Sequence, residues 1–244
     1  MREYYYDLHL HSCLSPCGDE DNTPNNIAGM ASLCGIEIAA LTDHNTCKNC
    51  PAFFEAAERN GIIPIAGMEL TTSEDIHVVC LFEKLSDAMK FDEFVDSRRF
   101  KIKNKPEIFG EQLILDGEDN VIGKDEHLLP NATSISIEEV KDIVCEFGGA
   151  CYPAHIDRQS NGIIAILGTL PAEPGFCTVE LNSRESIPEY TEKYGLSDKL
   201  VVVSSDAHYL TDMRDAEISI ELCAEKSQPD EVRRELISRL GGKI

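Results

Sequence analysis

The sequence is short of basic residues. Its 244 residues include only 22 Lys and Arg against 44 Asp and Glu, which gives a formal charge of −22. Such a charge argues against a broad basic surface, and so against duplex nucleic acid as a partner. A small anionic substrate remains compatible with it wherever a bound metal ion or a local arginine reverses the field.

Long apolar runs are also absent. Runs such as Ile163–Leu167 fall far short of the roughly 18 residues that a membrane-spanning helix needs. Met1-Arg2-Glu3 leads into a strand-like segment, whereas a signal peptide would continue with an apolar stretch. Ten cysteines without a secretory signal are typical of reduced thiols. We therefore expect a soluble cytoplasmic protein that makes no membrane contact.

Three loop signatures are missing as well. Without GxxxxGK[ST] or GxGxxG the chain has no glycine-rich loop to hold a nucleotide's phosphates. Without GxSxG it has no nucleophilic serine on a strand-to-helix turn.

What the chain does contain is an alternation of strand-like and helix-like segments. The strand candidates are residues 3–10, 36–42, 62–70, 76–82, 150–155, 177–181 and 199–205. Helix starts are indicated at Thr23-Pro24, at Pro51 and at Ser136. Near-continuous apolar strands separated by helices predict an α/β fold with a parallel sheet, open or closed into a barrel.

Two segments depart from this rhythm. Residues 98–133 are charged and irregular, with a hairpin-like stretch at 113–122, and we interpret them as an insertion. Residues 215–244 add a strand candidate and a helix whose apolar stripe predicts packing on the barrel. We therefore expect residues 1–244 to form a single domain with an insertion and a C-terminal extension.

Six of the seven histidines lie in compact, mostly acidic motifs at or beside predicted strand ends. In Asp7-Leu-His9-Leu-His11, strand alternation predicts that the three polar side chains share one face and the two leucines the other. The other motifs are Asp43-His44, Glu69, His77, His155 and Asp206-Ala-His208. The carboxyl ends of parallel strands form one rim, so these residues should converge. His77 fits this rule less well, because it lies at the start of its predicted strand, residues 76–82.

One such motif would be weak evidence, because a lone buried histidine is more often a hydrogen-bonded core residue than a ligand. The repetition of the pattern predicts a multinuclear metal site, and His with carboxylate suits Zn, Mn or Fe. His127 lacks this context and is interpreted as a solvated loop residue.

The motifs resemble, in the same order, those of the polymerase and histidinol phosphatase (PHP) domain family. They are Asp7-Leu-His-Leu-His-Ser12, Leu41-Thr-Asp-His-Asn45, Gly67-Met-Glu69, Ile76-His-Val78, Pro153-Ala-His155 and Ser204-Ser-Asp-Ala-His208. The resemblance implies a distorted (β/α)7 barrel with two or three divalent metal ions. It also implies hydrolysis of phosphoesters by a hydroxide that bridges two metals.

Carried over by motif, the resemblance implies the following ligand sets. One metal is held by His9, His11, Glu69 and Asp206; a second by Glu69, His77 and His155; a third by His44 and His208. Where relatives supply a further His or Asp, this chain has Cys17, with Asp19 nearby as a substitute. As catalytic groups, Asp206 would accept a proton and His208 would assist the leaving oxygen.

Arginine is scarce near the predicted rim, and Arg158 follows His155 by three residues. A guanidinium there would hold a phosphate through two hydrogen bonds, and we interpret Arg158 as a catalytic residue. The alternative is a surface salt bridge. Arg184 is a weaker candidate of the same kind.

Four cysteines follow the first two predicted strands: Cys13, Cys17, Cys47 and Cys50. They are compatible with a separate Zn or iron–sulfur site, with a redox-active CxxC pair, or with ordinary reduced thiols.

The sequence therefore predicts a metal-dependent phosphoesterase. Its substrate would be a small phosphorylated metabolite, a nucleoside bisphosphate or an oligonucleotide end. One alternative is C–N bond hydrolysis of the amidohydrolase type, which usually employs a lysine bridge where this chain has Glu69. Another is a non-catalytic metal-binding module, which predicts degraded ligand positions.

Overall fold

The computed structural model describes residues 1–243. Within that range the β-strands are β1 Arg2–Leu10, β2 Ile38–Leu41, β3 Ile63–Thr71, β4 His77–Phe82, β5 Leu113–Leu115, β6 Val121–Lys124, β7 Gly149–Pro153, β8 Thr178–Leu181, β9 Leu200–Val203 and β10 Ser219–Leu222. The α-helices are α1 Pro24–Leu33, α2 Cys50–Arg59, α3 Leu85–Arg98, α4 Pro106–Phe109, α5 Val140–Glu146, α6 Ile163–Leu167, α7 Ile187–Tyr194 and α8 Pro229–Leu240. No helix in this range is long and apolar enough to cross a bilayer.

The fold is α/β and is built on a curled sheet of six strands in the order β10-β1-β2-β3-β4-β7. A separate parallel pair, β8 and β9, extends the curl, because β7 contacts β8 and Ala207 beyond β9 bridges to Leu10 on β1. The strands thus enclose a common interior. The expectation of a distorted (β/α)7 barrel is met only in part, since hydrogen bonds between the named strands do not join β8 and β9 to the main sheet.

Two strands run against the predicted parallel direction: β10, which is antiparallel to β1 at the edge of the sheet, and β4 within it. Strand β4 is antiparallel to both β3 and β7. Only residues 72–76 connect β3 to β4, and a parallel crossover needs about a dozen residues or more. The reversal pairs His77 with Thr71, so the start of β4 lies at the same rim as the end of β3.

The strict alternation expected along β1 is wrong. The register between β1 and β2 shifts between Asp7 and Leu10, as in a β-bulge. Leu8 and Leu10 consequently belong to different core clusters, although the alternation placed them on one face. His9 and His11 nevertheless both face Glu69 and Asp206.

Two apolar clusters hold the sheet in place. One joins the outer face of the strands to α1, α2, α3 and α5. The other fills the interior and is covered by α8, whose Val232 and Leu236 pack with Tyr4 and Leu8. Arg233 approaches the Pro64 carbonyl at the start of β3, and Leu240 accepts a bond from Thr178 at the start of β8. The C-terminal helix therefore covers the amino ends of the strands and leaves the opposite rim accessible.

The segment 98–133 contains α4 and the hairpin of β5 and β6, and it is tied to the rim loops. The Leu113 amide donates to the Cys13 carbonyl, and the Asn49 side chain bonds both Leu113 and Leu115. A buried ion pair between Arg99 and Asp125 fastens the segment internally. The segment therefore borders the rim as a fixed part of the fold.

Candidate metal centre

The end of β1 delivers two fully buried imidazoles to a pair of carboxylates. The His9 Nε2 atom lies 3.3 Å from Glu69 Oε1 and 3.5 Å from Asp206 Oδ1. The His11 Nε2 atom lies 3.3 Å from Glu69 Oε2 and 3.2 Å from Asp206 Oδ1. One donor atom from each of these four residues falls within 4.8 Å of every other. Together they form the ligand set that the family resemblance implies for a first metal.

Glu69 also faces three further histidines. Its Oε1 atom is 2.7 Å from His77 Nδ1 and 3.0 Å from His155 Nε2, and its Oε2 atom is 2.9 Å from His44 Nδ1. Donor atoms of His44, Glu69 and His77 all lie within 4.8 Å of one another. Glu69 therefore sits between two groups of ligands, as a bridging carboxylate would.

A third group joins His11, His44 and His208, whose donor atoms again lie within 4.8 Å of one another. Cys17 adjoins it, with Sγ 3.1 Å from His44 Nε2. Asp19 does not enter the centre: its carboxylate accepts a bond from the Asp21 amide within its own loop. Of the residues predicted from the sequence as metal ligands, Asp19 alone is not brought to this cluster.

The donor atoms of the centre fit a bound cation. Among the described residues, no hydrogen bond of suitable geometry is found for buried His9 Nε2, His11 Nε2, His44 Nδ1, Glu69 Oε2 and Asp206 Oδ1, even though His44 Nδ1 lies 2.9 Å from Glu69 Oε2. A buried polar atom without a partner costs about 1–3 kcal/mol, so five of them in one cluster need a common explanation. Imidazole nitrogens and carboxylate oxygens are the ligands that Zn, Mn and Fe share, and such ions bound at the groups described above would supply partners for these atoms.

Two carboxylates outside the ligand set orient the imidazoles. The Glu180 Oε1 atom is 2.9 Å from His9 Nδ1 and accepts the His155 backbone N–H at 3.1 Å. Asp43 accepts the Ser15 hydroxyl at 2.7 Å, and Ser15 Oγ is 3.0 Å from His11 Nδ1. Such partners fix the tautomer and direction of a ligating histidine. Glu180 was not predicted from the sequence. The pattern that could have indicated it is a single acidic residue within the apolar strand β8.

The backbone at this rim is unusual at several residues, including Asn161 in the same cleft, which has a positive φ angle. Asn45, His155 and Asp206 have positive φ angles of 51°, 26° and 52°, a region that side chains other than glycine seldom adopt. Asn45 is held there because its side chain accepts the Thr71 amide and donates to the Leu129 and Asn131 carbonyls. Non-glycine residues in this region cluster at functional sites, and here two of these residues are candidate ligands.

The charges of the cluster reinforce one another. Burial alone would raise the pKa of Glu69, but His77 and His9 beside it hold that pKa well below its usual range. Burial would lower the pKa of His9, but Glu180 and Asp206 carry it well above. Glu69 is therefore ionised at neutral pH, and the surroundings of His9 favour positive charge.

Cys17 is set apart from the other cysteines by its neighbours. Burial would raise the pKa of its thiol, but the His44 and His208 imidazoles lower that pKa to about 5. By contrast Cys47 and Cys50 are buried and donate to backbone carbonyls, both of them to Gly67. No group of metal-ligating side chains found among residues 1–243 contains a cysteine, so the four-thiolate site is not formed.

Arg158 reaches the centre and Arg184 does not. The Arg158 Nη1 atom lies 2.5 Å from Asp206 Oδ2, and the side chain borders the same cleft as His77, His155 and His208. Its partner is a candidate ligand, so the alternative of a plain surface salt bridge does not describe it. Arg184 lines a different cavity together with Arg214.

Sequence comparison gives a family match. The model described as the PHP domain matches residues 7–129, half of the chain. An uncharacterised protein of Methanocaldococcus jannaschii is 33% identical over 76 residues, which cover 28% of this chain and 44% of that protein. A 5'-3' exoribonuclease of Haemophilus influenzae is 35% identical over 88 residues, covering 34% of this chain and 31% of the enzyme. The chain thus spans less than half the length of these relatives.

Structural comparison shows the same fold in several solved proteins. A putative metal-dependent phosphoesterase from Bifidobacterium adolescentis superposes with a TM-score of 0.62 at 19% identity, covering 97% of this chain and 96% of that one. An amidohydrolase from Chromobacterium violaceum gives 0.59 at 19% identity, with 94% and 96% covered. Endonuclease Q in complex with a duplex carrying an abasic lesion gives 0.59 at 16% identity, with 99% and 57% covered.

The last of these corrects an expectation. The charge of −22 was taken to argue against duplex nucleic acid as a partner, but a protein of the same fold binds a duplex with the lesion at its active site. The argument was wrong because net charge sums over the whole surface, whereas a nucleic acid meets only the field around the site. Bound cations invert that field locally.

Proposed function

Since the chain belongs to the PHP domain family, we propose that its centre hydrolyses phosphoesters with two or three bound divalent metal ions. The observation that carries the proposal is the cluster of buried, unpartnered donor atoms on four elements that converge on Glu69 and Asp206. In this proposal residues 1–244 form one domain on a distorted (β/α)7 plan, with residues 98–133 inserted and residues 215–244 packed on the barrel.

The proposed ligand sets are those that the family resemblance implies, with Cys17 beside the third. The first ion would be held by His9, His11, Glu69 and Asp206; the second by Glu69, His77 and His155, with His44 at the same edge; the third by His44, His208 and Cys17. When bound, such ions polarise the phosphoryl oxygens and lower the pKa of water. The thiolate of Cys17 favours Zn or Fe at the third position, since soft sulfur prefers the more thiophilic ions.

The chain's own groups would then bind and orient the substrate. Arg158 lies at the mouth of the cleft with its side chain 38% exposed, so it can turn from Asp206 to a phosphoryl oxygen. There it would neutralise charge that develops during reaction. His208 Nδ1 donates to the Asp206 carbonyl at 2.9 Å, which leaves Nε2 of a neutral ring free of a proton. His208 can therefore ligate an ion or exchange a proton with the leaving oxygen.

Removing the bridging charge tests the proposal. Purified protein should carry at least two divalent ions per chain by elemental analysis, and it should hydrolyse members of a phosphomonoester and phosphodiester panel with Mn, Zn or Fe. Glu69→Gln should lose bound metal and activity together, because Glu69 faces two ligand groups. Glu235→Gln, a carboxylate beyond β10 that accepts backbone N–H bonds, is the matched control and should change neither. Less than one ion per chain, with no gain on metal addition, contradicts the proposal.

A second candidate is C–N hydrolysis, favoured by the amidohydrolase of the same fold. Glu69 occupies the bridging position in place of the lysine typical of such enzymes, so we rank phosphoester chemistry first. Turnover of N-acyl and cyclic amide substrates by the metal-loaded protein, without turnover of any phosphoester, would reverse that order.

A further inference from the structure

A cavity separate from the metal centre lies where strand β1 changes its neighbour. The first half of β1 pairs with β10, and the Tyr6 amide donates to the Ile218 carbonyl just before β10. Beyond this point the neighbour is β9, whose Val203 amide donates to the Tyr6 hydroxyl. The fork between β10 and β9 holds a cavity of about 370 Å³. That volume lies within the range of small-molecule sites, about 300–1,000 Å³.

Two arginines stand at the mouth of this cavity. Arg184 follows β8 and Arg214 precedes β10, and both are exposed. Among residues 1–243, neither guanidinium group has a carboxylate oxygen within 4.0 Å, although the chain has 44 acidic residues. The Arg214 Nη1 atom donates to the Asn182 carbonyl at 2.8 Å, which ties it to the loop after β8. A guanidinium group offers its donors in a fork that matches a carboxylate, so both arginines are available to the anionic group of a ligand.

One carboxylate in the same cavity is buried without a counter-ion. Asp7 is 4% exposed, and among the described residues no Lys, Arg or His nitrogen lies within 4.0 Å of its carboxylate. Its Oδ1 atom accepts the backbone N–H groups of His9 at 3.3 Å and Ser205 at 3.2 Å. Buried charges in proteins are normally paired, so the cationic group of a ligand would supply what the neighbouring side chains do not.

The lining as a whole favours a ligand that carries charges of both signs. Besides Asp7 it includes the exposed carboxylates Glu185, Asp215 and Glu217, so four acidic groups oppose two arginines. A simple anion would meet a lining of net negative charge, and a simple cation would leave the arginines unpaired. The lining also includes four apolar or aromatic side chains, namely Tyr6, Ile36, Val203 and Ile218. These would cover an uncharged body.

We propose that this cavity binds a free α-amino acid with an apolar side chain. The carboxylate of the ligand would pair with Arg184 and Arg214, its ammonium group would pair with Asp7, and its side chain would pack on the apolar part of the lining. The inference goes beyond the proposed function and does not depend on it, because the cavity shares no lining residue with the cleft of the metal centre.

Ligands that differ in one group test the three kinds of contact. L-phenylalanine, 3-phenylpropanoate without the amine, and 2-phenylethylamine without the carboxylate are titrated into the metal-loaded protein by calorimetry. Phenylalanine should bind most tightly, and loss of either charged group should raise Kd by about tenfold or more, as expected for a charge-assisted hydrogen bond. Glycine, which lacks the apolar side chain, should bind about 10- to 100-fold more weakly than phenylalanine.

Variants assign each charged group of the ligand to its partner. Arg184→Gln with Arg214→Gln should weaken the binding of phenylalanine and 3-phenylpropanoate but not that of 2-phenylethylamine. Asp7→Asn, which keeps an oxygen for the two amides, should weaken phenylalanine and 2-phenylethylamine but not 3-phenylpropanoate. The matched control is Arg98→Gln with Arg234→Gln, which changes two exposed arginines outside the cavity and should leave every Kd unchanged.

A variant that fills the cavity tests the location of the site. Ile218→Trp keeps the backbone carbonyl that accepts the Tyr6 amide and adds an indole to the lining. The chain has no tryptophan of its own, so a blue-shifted emission would show that this indole is buried in the cavity. Phenylalanine binding should then be lost.

The inference is overturned if phenylalanine does not bind, or if it binds no more tightly than the analogues that lack one charge. It is also overturned if the double variant of Arg184 and Arg214 binds phenylalanine like the control, or if Ile218→Trp with a buried indole keeps the wild-type Kd. Phenylalanine binding that disappears when a chelator removes the metal would overturn it as well, because the ligand would then occupy the metal centre.

Discussion

Glu180 provides a sharp test of how this centre holds metal, because it touches the ligands without belonging to them. It is 1% exposed, and its Oε1 atom serves both the His9 ring and the His155 backbone N–H. Glu180→Gln keeps an amide oxygen of the same size for both contacts and removes only the charge. Loss of such an orienting carboxylate typically weakens metal binding by about 10–100-fold, which is about 1.4–2.7 kcal/mol.

Glu180→Ala should be worse for a different reason. It leaves the His155 amide and the His9 ring without an acceptor, and each buried unsatisfied group costs about 1–3 kcal/mol. The alanine variant should therefore lose stability even in the presence of chelator, whereas the glutamine variant should lose mainly metal affinity.

The assay is competition for Zn or Mn with a chromophoric chelator, together with urea unfolding in the absence of metal. Glu235→Gln is again the control, since that carboxylate also accepts backbone N–H groups but is not among the residues of the centre. Equal metal affinities for Glu180→Gln and Glu235→Gln would refute the reasoning that Glu180 orients His9.

Three further outcomes are expected. Arg158→Ala should lower kcat/KM on phosphoesters by about ten- to a hundredfold, because it removes a charge-assisted hydrogen bond to the phosphate. Elemental analysis should show the same metal content as in the wild type. An unchanged kcat/KM would show that Arg158 does not contact the substrate. Cys17, with its pKa lowered to about 5, should react with iodoacetamide at neutral pH faster than Cys145. Added Zn should lower the rate at which Cys17 is labelled. A labelling rate that does not change when Zn is added would exclude Cys17 as a ligand. Asp125→Asn should destabilise the fold by about 3–5 kcal/mol, because Arg99 is buried against it. Arg99 and Lys48 lower the pKa of Asp125 against the effect of burial. The stabilisation by the ion pair is therefore present above pH about 4 and is lost as the pH falls below it. If the wild type and Asp125→Asn differed in urea unfolding by the same amount at every pH, the assignment would be contradicted.

Most residues of the candidate site could be predicted from residue types and their places at strand ends. His9, His11, His44, His155 and Asp206 were all predicted from their places at strand ends, and the structure brings them together. The prediction was possible because strands in an α/β fold bring their ends to a common rim, whatever the details of packing.

Other features depended on tertiary structure. His77 did not fit the strand-end rule until the short connection before β4 reversed that strand. The bulge in β1 broke the alternation expected of Asp7 to Leu10, since a local register shift depends on the neighbouring strand and not on the residues alone.

The different positions of Cys17 and Asp19 also depended on three-dimensional structure. Both residues follow β1 within a few positions, and either side chain could ligate. The backbone turn that directs Asp19 to the Asp21 amide leaves Cys17 beside His44. Glu180 reaches His9 across 171 positions of sequence, a contact that no local pattern encodes. Residue types and strand order thus fixed which groups could meet at the rim, and the packing of distant segments decided which of them do.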